Sequence, residues 1–375
     1  MISSFGARDT AFGKKGAFYN TLEELHKHWD RIDVIAPGSK WWFKKATCAK
    51  LFGSFNTVHI HTSSWPLWLH PFWIKSKGKE LIKQHKHDIA TVHDFPPFYN
   101  GMGAKMLHKA TGIPYLLEIF HIAGYPRPAN NKEKRYRDLM KRGIAHDAEH
   151  AVAVRVMNKV QVPEFLIDAG VPKEKLKYIS AIYIDLEVFK PMSVVKKYDV
   201  IAIARLAGNK GLILLLDAIV RIKKDKPNVK AVIVGTGPLQ KKLEREVNEL
   251  GLKDNLIFAG WVDVDKEVKL INESRMLGMT SYTEGGPGVT IEAMACGVPV
   301  ITTKVGIMVD IIKDGENGLF IDWTSEDIAE KISKLLEDGD MQEKFSKQGL
   351  EIVKQFEKKQ AIKNYADELK KLIKE

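Results

Sequence analysis

Two glutamates eight positions apart, Glu284 and Glu292, bracket the run Gly285-Gly286-Pro287-Gly288, which separates two apolar segments. The segment before it, Met276–Tyr282, reads as a strand, and the one after it reads as a helix beginning near Gly288. Free backbone N–H groups and the helix dipole at such a start suit an anion, most simply a phosphate. The same turn also serves packing alone. The carboxylates allow two uses. One is an acid/base pair of the glycosidase kind, although loop and helix between them leave the carboxyl separation unset. The other is acceptance of hydrogen bonds from sugar or ribose hydroxyls, with Glu292 near enough to the helix start to feel its dipole. A capping or surface role stays open for both.

A second set lies upstream. Ile201-Ala202-Ile203-Ala204-Arg205 ends a strand on a guanidinium, and Lys210-Gly211 follows five positions on, before a helix. In open α/β sheets that edge binds ligands. A fork and a point charge converging there would neutralise a diphosphate. Val234-Gly235-Thr236-Gly237-Pro238 gives close backbone approach at the next strand end. His59 and His61 alternate on a strand and share a face, but two histidines without further ligands read as structural, so no metal site is expected. There is no Ser-His-Asp or Cys-His arrangement, and so no support for a covalent nucleophile.

The elements that must position these groups recur as short β-branched runs. The first half has Ile32–Ala36, Thr57–His61, Ile89–His93, Tyr115–His121 and Ala151–Val156. The second has Val200–Arg205, Val229–Gly235, Leu256–Val262, Met276–Tyr282, Pro299–Thr303 and Leu319–Asp322. Leu212–Lys224 and Leu239–Leu250 carry helical period between them. Strand alternating with helix predicts parallel sheets and two doubly wound α/β domains. Lys190-Pro191-Met192-Ser193 interrupts the pattern and sets the expected boundary: residues 1–192, then 193–375. Residues 356–375 form a charged amphipathic helix with no strand after it, which could pack on either domain, packing back on the first being one of the two placements.

At 375 residues, 45% apolar and 28% charged, the chain has enough for two cores and is neither disordered nor fibrous. No apolar run reaches the ~18 residues of a membrane span. With two cysteines and no signal-like start, the expected location is the cytoplasm. The net charge of +11 is confined to residues 1–190, which hold 29 Lys and Arg against 18 Asp and Glu, while the rest holds 29 against 29. Between Lys40 and Lys86 nine lysines face one acid, Glu80, with five tryptophans among them. A solvated charged face with buried rings is the plain explanation. An anionic partner is the other.

Together the motifs resemble the retaining nucleotide-sugar glycosyltransferases of the GT-B fold, family four, also called glycosyl transferases group 1. The likeness runs from about Tyr178 to Phe320 and is most specific from Glu284 to Glu292, which looks like that family's E-x7-E motif with its Glu-Ala-Met-Ala-Cys-Gly-Val-Pro-Val continuation. Arg205-Leu206 with Lys210-Gly211, the Gly235 turn, Phe258-Ala259-Gly260 and Asp314-Gly315-Glu316-Asn317-Gly318 support it. The resemblance implies an α/β chain of two Rossmann-like domains with an interdomain cleft, acceptor bound by the first and nucleotide sugar by the second. It implies that Arg205 and Lys210 hold the donor diphosphate and that Glu284 binds donor sugar hydroxyls. Gly286, Gly288, Val289 and Thr290 would contact sugar or phosphate, Glu292 the ribose, and Gly235 the nucleotide. His121, ending Glu118-Ile119-Phe120-His121, would contact the donor sugar near the reaction centre. Three positions depart from the family: Pro287 removes a backbone donor, Ile182-Tyr183 stands where Asn-Gly is usual, and Gly13-Lys14-Lys15-Gly16 matches the first glycine loop only loosely.

The implied reaction is transfer from a nucleoside diphosphate sugar to an acceptor hydroxyl with retention, by front-face substitution, without a metal or other cofactor. For the acceptor, Trp41-Trp42-Phe43-Lys44-Lys45 and the stretch Trp65 to Lys75, with Trp68 and Trp73, combine interfacial aromatics with lysines as surfaces docking on anionic lipid do. With Gly16, Lys14 and Lys15 these form the expected acceptor or membrane surface. A peripheral enzyme on the cytosolic face of a membrane, acting on a lipid or lipid-linked glycan, is expected. The alternatives are a soluble transferase with a small-molecule or saccharide acceptor, a sugar-nucleotide epimerase and a nucleic-acid-binding protein. The last lacks any RNP or zinc-finger signature, so nucleic acid is not an expected partner.

Overall fold

The computed structural model describes residues 1–3, 5–11, 16–38, 47–50 and 56–374. They fall into two compact units. The first comprises Met1–Phe120, Asp138–Ala181 and Lys359–Glu375, the second His121–Arg137 and Ile182–Lys358.

The first unit is built on β1 (Ile32–Ala36), β2 (Thr47–Lys50), β3 (Val58–Thr62), β4 (Ala90–His93), β5 (Tyr115–Ile119), β6 (Ala153–Val156) and β7 (Leu176–Tyr178). β1 pairs in parallel with β3, which carries antiparallel β2 on its other side, while β4 to β7 run parallel in chain order. Ile2 bridges Ile35 on one side and Val92 on the other, joining the two sets. Every position of β5 is buried, as suits a parallel strand covered on both faces. Its one charge, Glu118, meets Arg155 of β6 at 2.6 Å. Asp33 on β1 accepts from His61 at 2.7 Å, His87 at 2.8 Å and Arg31 at 2.6 Å. Burial alone would raise this carboxyl, but the three donors outweigh it and hold it well below the usual carboxylate range. His61 is thereby committed to a hydrogen bond within the fold.

The second unit carries β8 (Tyr198–Ile203), β9 (Ala231–Val234), β10 (Leu256–Gly260), β11 (Ser274–Met279), β12 (Val300–Thr302) and β13 (Leu319–Phe320). All are parallel, in the order β10-β9-β8-β11-β12-β13. Alternate residues feed two cores. Ile201, Val232, Val234 and Leu277 pack on one side, and Val200, Ala231, Ile233 and Met276 on the other. The helix Leu212–Asp225 buries Leu212, Leu215, Leu216, Ile219 and Ile222, the 3.6-residue stripe of a helix laid on a sheet.

The chain passes into its second unit at Ile182, ahead of the expected boundary at 192/193, because Ile182, Ile184 and Phe189 are buried in that unit's core. Residues 121–137, expected in the first domain, also belong to the second unit. The closing helix Lys358–Lys374 lies in the first unit from Lys359 onward, with Ile362, Tyr365, Ala366, Leu369 and Leu372 buried along one face.

Candidate active site

β8 lies between β9 and β11, and the crossovers that leave the carboxyl ends of β8 and β11 run in opposite directions, to β9 and to β12. That reversal is where an open α/β sheet binds ligands. The loops after β8, β9 and β11 are stitched together there. Ala204 N–H donates to Val234 O at 3.0 Å, Leu206 N–H to Thr236 O at 3.0 Å and Tyr282 N–H to Asn209 O at 2.9 Å. The Thr280 hydroxyl donates to Lys210 O at 2.8 Å. Two glycines permit the approach. Gly211 at φ +62° and Gly235 at φ +123° sit so close to the carbonyls of Thr280 and Ala204 that a Cβ at either would collide.

Lys210 and Glu284 are brought together by these loops, and Lys210 Nζ forms an ion pair with Glu284 Oε1. The side chains are only 20% and 15% exposed, so the pair is poorly screened by water. Arg205 is exposed at the end of β8 and meets no carboxylate among the described residues. Gly286 and Gly288 are exposed, and among the described residues the N–H groups of Gly286, Gly288 and Val289 meet no protein acceptor. Behind the loop, Ile307 N–H donates to Gly285 O at 3.0 Å and fixes its far side. A side chain at 286 would strike Ile182, so the departure at Ile182-Tyr183 packs directly against the glycine loop. Thr290 is fully buried, and its hydroxyl donates to Pro287 O at 2.6 Å. It shapes the turn and offers no free donor to a ligand. Glu292 is half-buried with Oε2 sealed from solvent, and burial, then the neighbouring Glu267, push its carboxyl up to about 8.

His121 belongs to the same unit and is accessible at its surface. Desolvation by the surrounding protein lowers its pKa; Glu284 opposes the shift and Lys210 adds to it, so the ring is within electrostatic reach of both. The buried Thr283 hydroxyl donates to Ile122 O at 3.1 Å and Tyr125 O at 2.8 Å, pinning the segment after His121 beside Glu284. Sequence reasoning missed Arg127. Its guanidinium lies 5.7 Å from the ring of Tyr282, two residues before Glu284, and 5.4 Å from that of Trp323, which stacks on Tyr282. No spacing rule links three residues so far apart in the chain; only the tertiary fold does.

Of the expected acceptor residues, Lys14, Lys15, Trp41, Trp42, Lys44 and Lys45 lie outside the described residues. Gly16 is exposed before the helix Ala17–Leu25. Trp65 and Trp68 are exposed, but Trp73 is not on the surface. It is 5% exposed and stacked on His70, because the helix His70–His85 turns Trp73 and Ile74 inward and leaves Phe72 outside. Among the described residues no group of three or more His, Cys, Asp or Glu could hold a metal ion, and no helix is long and apolar enough to cross a membrane.

Residues 184–352 match the family model for glycosyl transferases group 1. An uncharacterized glycosyltransferase of Methanocaldococcus jannaschii is 32% identical over 315 residues, covering 80% of this chain and 78% of the relative. The chain belongs to the glycosyl transferases group 1 family. Two further relatives match this transferase over shorter stretches. The poly(glycerol-phosphate) alpha-glucosyltransferase of Bacillus subtilis is 29% identical over 181 residues, 48% of this chain and 26% of the relative's length. The GDP-mannose-dependent alpha-(1-6)-phosphatidylinositol monomannoside mannosyltransferase of Mycolicibacterium smegmatis is 29% identical over 147 residues, 37% of this chain and 38% of the relative. Anabaena HepE, solved in complex with UDP and glucose, superposes with a TM-score of 0.73 at 20% identity, over 96% of the transferase and 97% of HepE. That likeness carries the GT-B fold.

Proposed function

We propose that this transferase moves a glycosyl unit from a nucleoside diphosphate sugar to a hydroxyl of a lipid or lipid-linked acceptor at a membrane surface, with retention of configuration. The observation behind this is the convergence, within one unit, of Lys210, Glu284, His121 and the open N–H groups of Gly286, Gly288 and Val289. Arg205 and Lys210 bind the diphosphate and stabilise the charge that builds on it as the sugar leaves. A phosphate taking Lys210 releases Glu284 to accept hydrogen bonds from sugar hydroxyls. His121, with its pKa lowered, is neutral at pH 7 and can pair with an uncharged hydroxyl. As the bond from the anomeric carbon to phosphate breaks, the acceptor oxygen bonds to that carbon on the same face, and its proton passes to the leaving phosphate. Because Arg205 and Lys210 supply the positive charge, chelation by EDTA is expected to leave turnover unchanged.

The donor is identified by thermal shift and calorimetry against UDP-, GDP-, ADP- and TDP-sugars, with Lys210→Ala as control. One stabilising nucleotide, lost in the variant, is expected; no binding by any of them would remove this donor site. Release of nucleoside diphosphate together with a glycosylated acceptor separates a transferase from an epimerase.

The acceptor follows from the first unit. Trp65, Leu67, Trp68 and Phe72 are 43%, 39%, 60% and 51% exposed within eight consecutive positions, followed on the same helix by Lys75 and Lys79. Apolar rings beside lysines suit the boundary of an anionic bilayer. Two relatives act, by name, on phosphate-bearing acceptors, in keeping with the basic first half. Trp65→Ala with Trp68→Ala is expected to weaken sedimentation with anionic vesicles by about 10- to 150-fold per ring, at 1.5–3 kcal/mol for a buried large side chain, and to spare donor binding. Unchanged sedimentation would point instead to a soluble acceptor.

A further inference from the structure

Glu292 lies on the helix Gly288–Ala295 and Glu267 on the helix Val264–Asn272, and their carboxyls are in hydrogen-bonding contact. Two ionised carboxylates offer only acceptors, so the contact requires a proton between them. Among the described residues no other side chain donates to Glu292. Oε2 is sealed from solvent and meets no donor among the described residues, whereas Oε1 faces the backbone of Gly288.

Among the described residues the surroundings supply no compensating charge. On Glu267's own helix, Asp263, Asp265, Lys266 and Lys269 are exposed. β11 carries Arg275, which is exposed and paired with Asp199 at 3.4 Å, and β12 has no charged residue. The helix Gly339–Val353 packs here through Ser346, Gly349 and Leu350. Cys296, one turn along from Glu292, has its thiol pushed up to about 12 by burial, and Lys196 is spent on the carbonyls of Asn272 and Ser274. Burial and Glu267 together push Glu292 up to about 8, and burial raises Glu267 as well.

We propose that Glu267 is a positioning residue for Glu292: the carboxyls share one proton in the free enzyme, and a nucleotide whose ribose hydroxyls donate to Glu292 expels that proton to the buffer. This rests on the donor-site reading above. Hydroxyl donors require an ionised acceptor, so binding favours the deprotonated pair. The linkage has a definite sign. Nucleotide affinity rises with pH, by about tenfold per unit where the free pair holds its proton and the complex does not, and flattens above the pair's pKa.

Two measurements test this. A carboxyl carbon NMR titration of the free wild-type chain is expected to show a glutamate pair titrating between pH 7 and 9, absent in Glu267→Gln, whose amide donates to Glu292 without a shared proton. Calorimetry of whichever of UDP, GDP, ADP and TDP binds at pH 7, in buffers of different ionisation enthalpy, is expected to show about one proton more released by wild type than by Glu267→Gln. The nucleotide's own titration is common to both proteins and cancels. No carboxyl titrating in that window overturns the shared proton. A titrating pair with nucleotide bound and no proton released overturns the linkage while leaving the donor site standing. A titrating pair in a chain that binds none of UDP, GDP, ADP and TDP means that the donor-site reading has failed, and the linkage with it.

Discussion

Lys210→Ala is expected to lower kcat by about 10²–10³-fold, the scale for removing one preorganised donor from a developing anion. The expectation follows from where the ammonium is held. Its carbonyl accepts from Thr280, its side chain is 20% exposed and its charge meets Glu284, so it is fixed before any ligand arrives. Preorganisation of this kind costs nothing when charge moves onto the leaving phosphate. Glu284→Gln is expected to act differently. It keeps the size but weakens acceptance from sugar hydroxyls, and it leaves Lys210 without its carboxylate. Because each side chain is the other's partner, losses in the double variant should be smaller than the sum of the single losses. Steady-state kinetics on the four proteins, with circular dichroism to show that each is folded, decides the matter. Wild-type kcat in Lys210→Ala would place the chemistry elsewhere.

The strands of the second unit could be read from the chain as short apolar runs between helical segments, and Ala231–Val234, buried at every position, is the clearest of them. Two strands of the first unit could not. Leu176–Tyr178 has three residues and none of them is buried, so neither alternation nor an apolar run marks it. Thr47–Lys50 is an antiparallel edge of four mixed residues. The break at Lys190-Pro191 is a true interruption of pattern, yet it falls inside a unit because Ile184 and Phe189, irregular in backbone, are buried in the core. Burial of an irregular segment has no period. That Lys210, Glu284 and the glycine loop meet was legible because each follows the end of a strand, where a parallel sheet gathers its loops. Arg127 over Tyr282 and Trp323, and Glu267 against Glu292, were not: each depends on which loops and helices the sheet order places side by side. Trp73 shows the complementary error, since a tryptophan among lysines looks interfacial until the phase of its helix is known.

Arg155→Met is expected to cost about 3–5 kcal/mol, the range for breaking a buried ion pair by removing one partner. Arg155 donates to Glu118 Oε1 at 2.6 Å, Ile179 O at 3.0 Å and Ser180 O at 2.7 Å, and its guanidinium lies 3.9 Å from the Tyr365 ring centroid. The Tyr365 hydroxyl donates to the same Glu118 oxygen at 2.8 Å. One side chain therefore joins β5, β6, the end of the first unit's chain at 179–180 and the closing helix Lys358–Lys374. Methionine restores the volume but no donor, so Glu118 loses its charged partner and keeps only the Tyr365 hydroxyl, while two carbonyls lose their donors. Adding Glu118→Gln should recover part of the loss, because the uncompensated charge is then gone and only neutral acceptors remain. Hydrogen exchange separates this from a general weakening. Amides of 358–374 should open before those of β8 to β13, since the second unit holds none of the affected contacts. A loss under about 1 kcal/mol, or equal acceleration in both units, would mean that the closing helix is held by its apolar stripe of Ile362, Leu369 and Leu372 and not by this network.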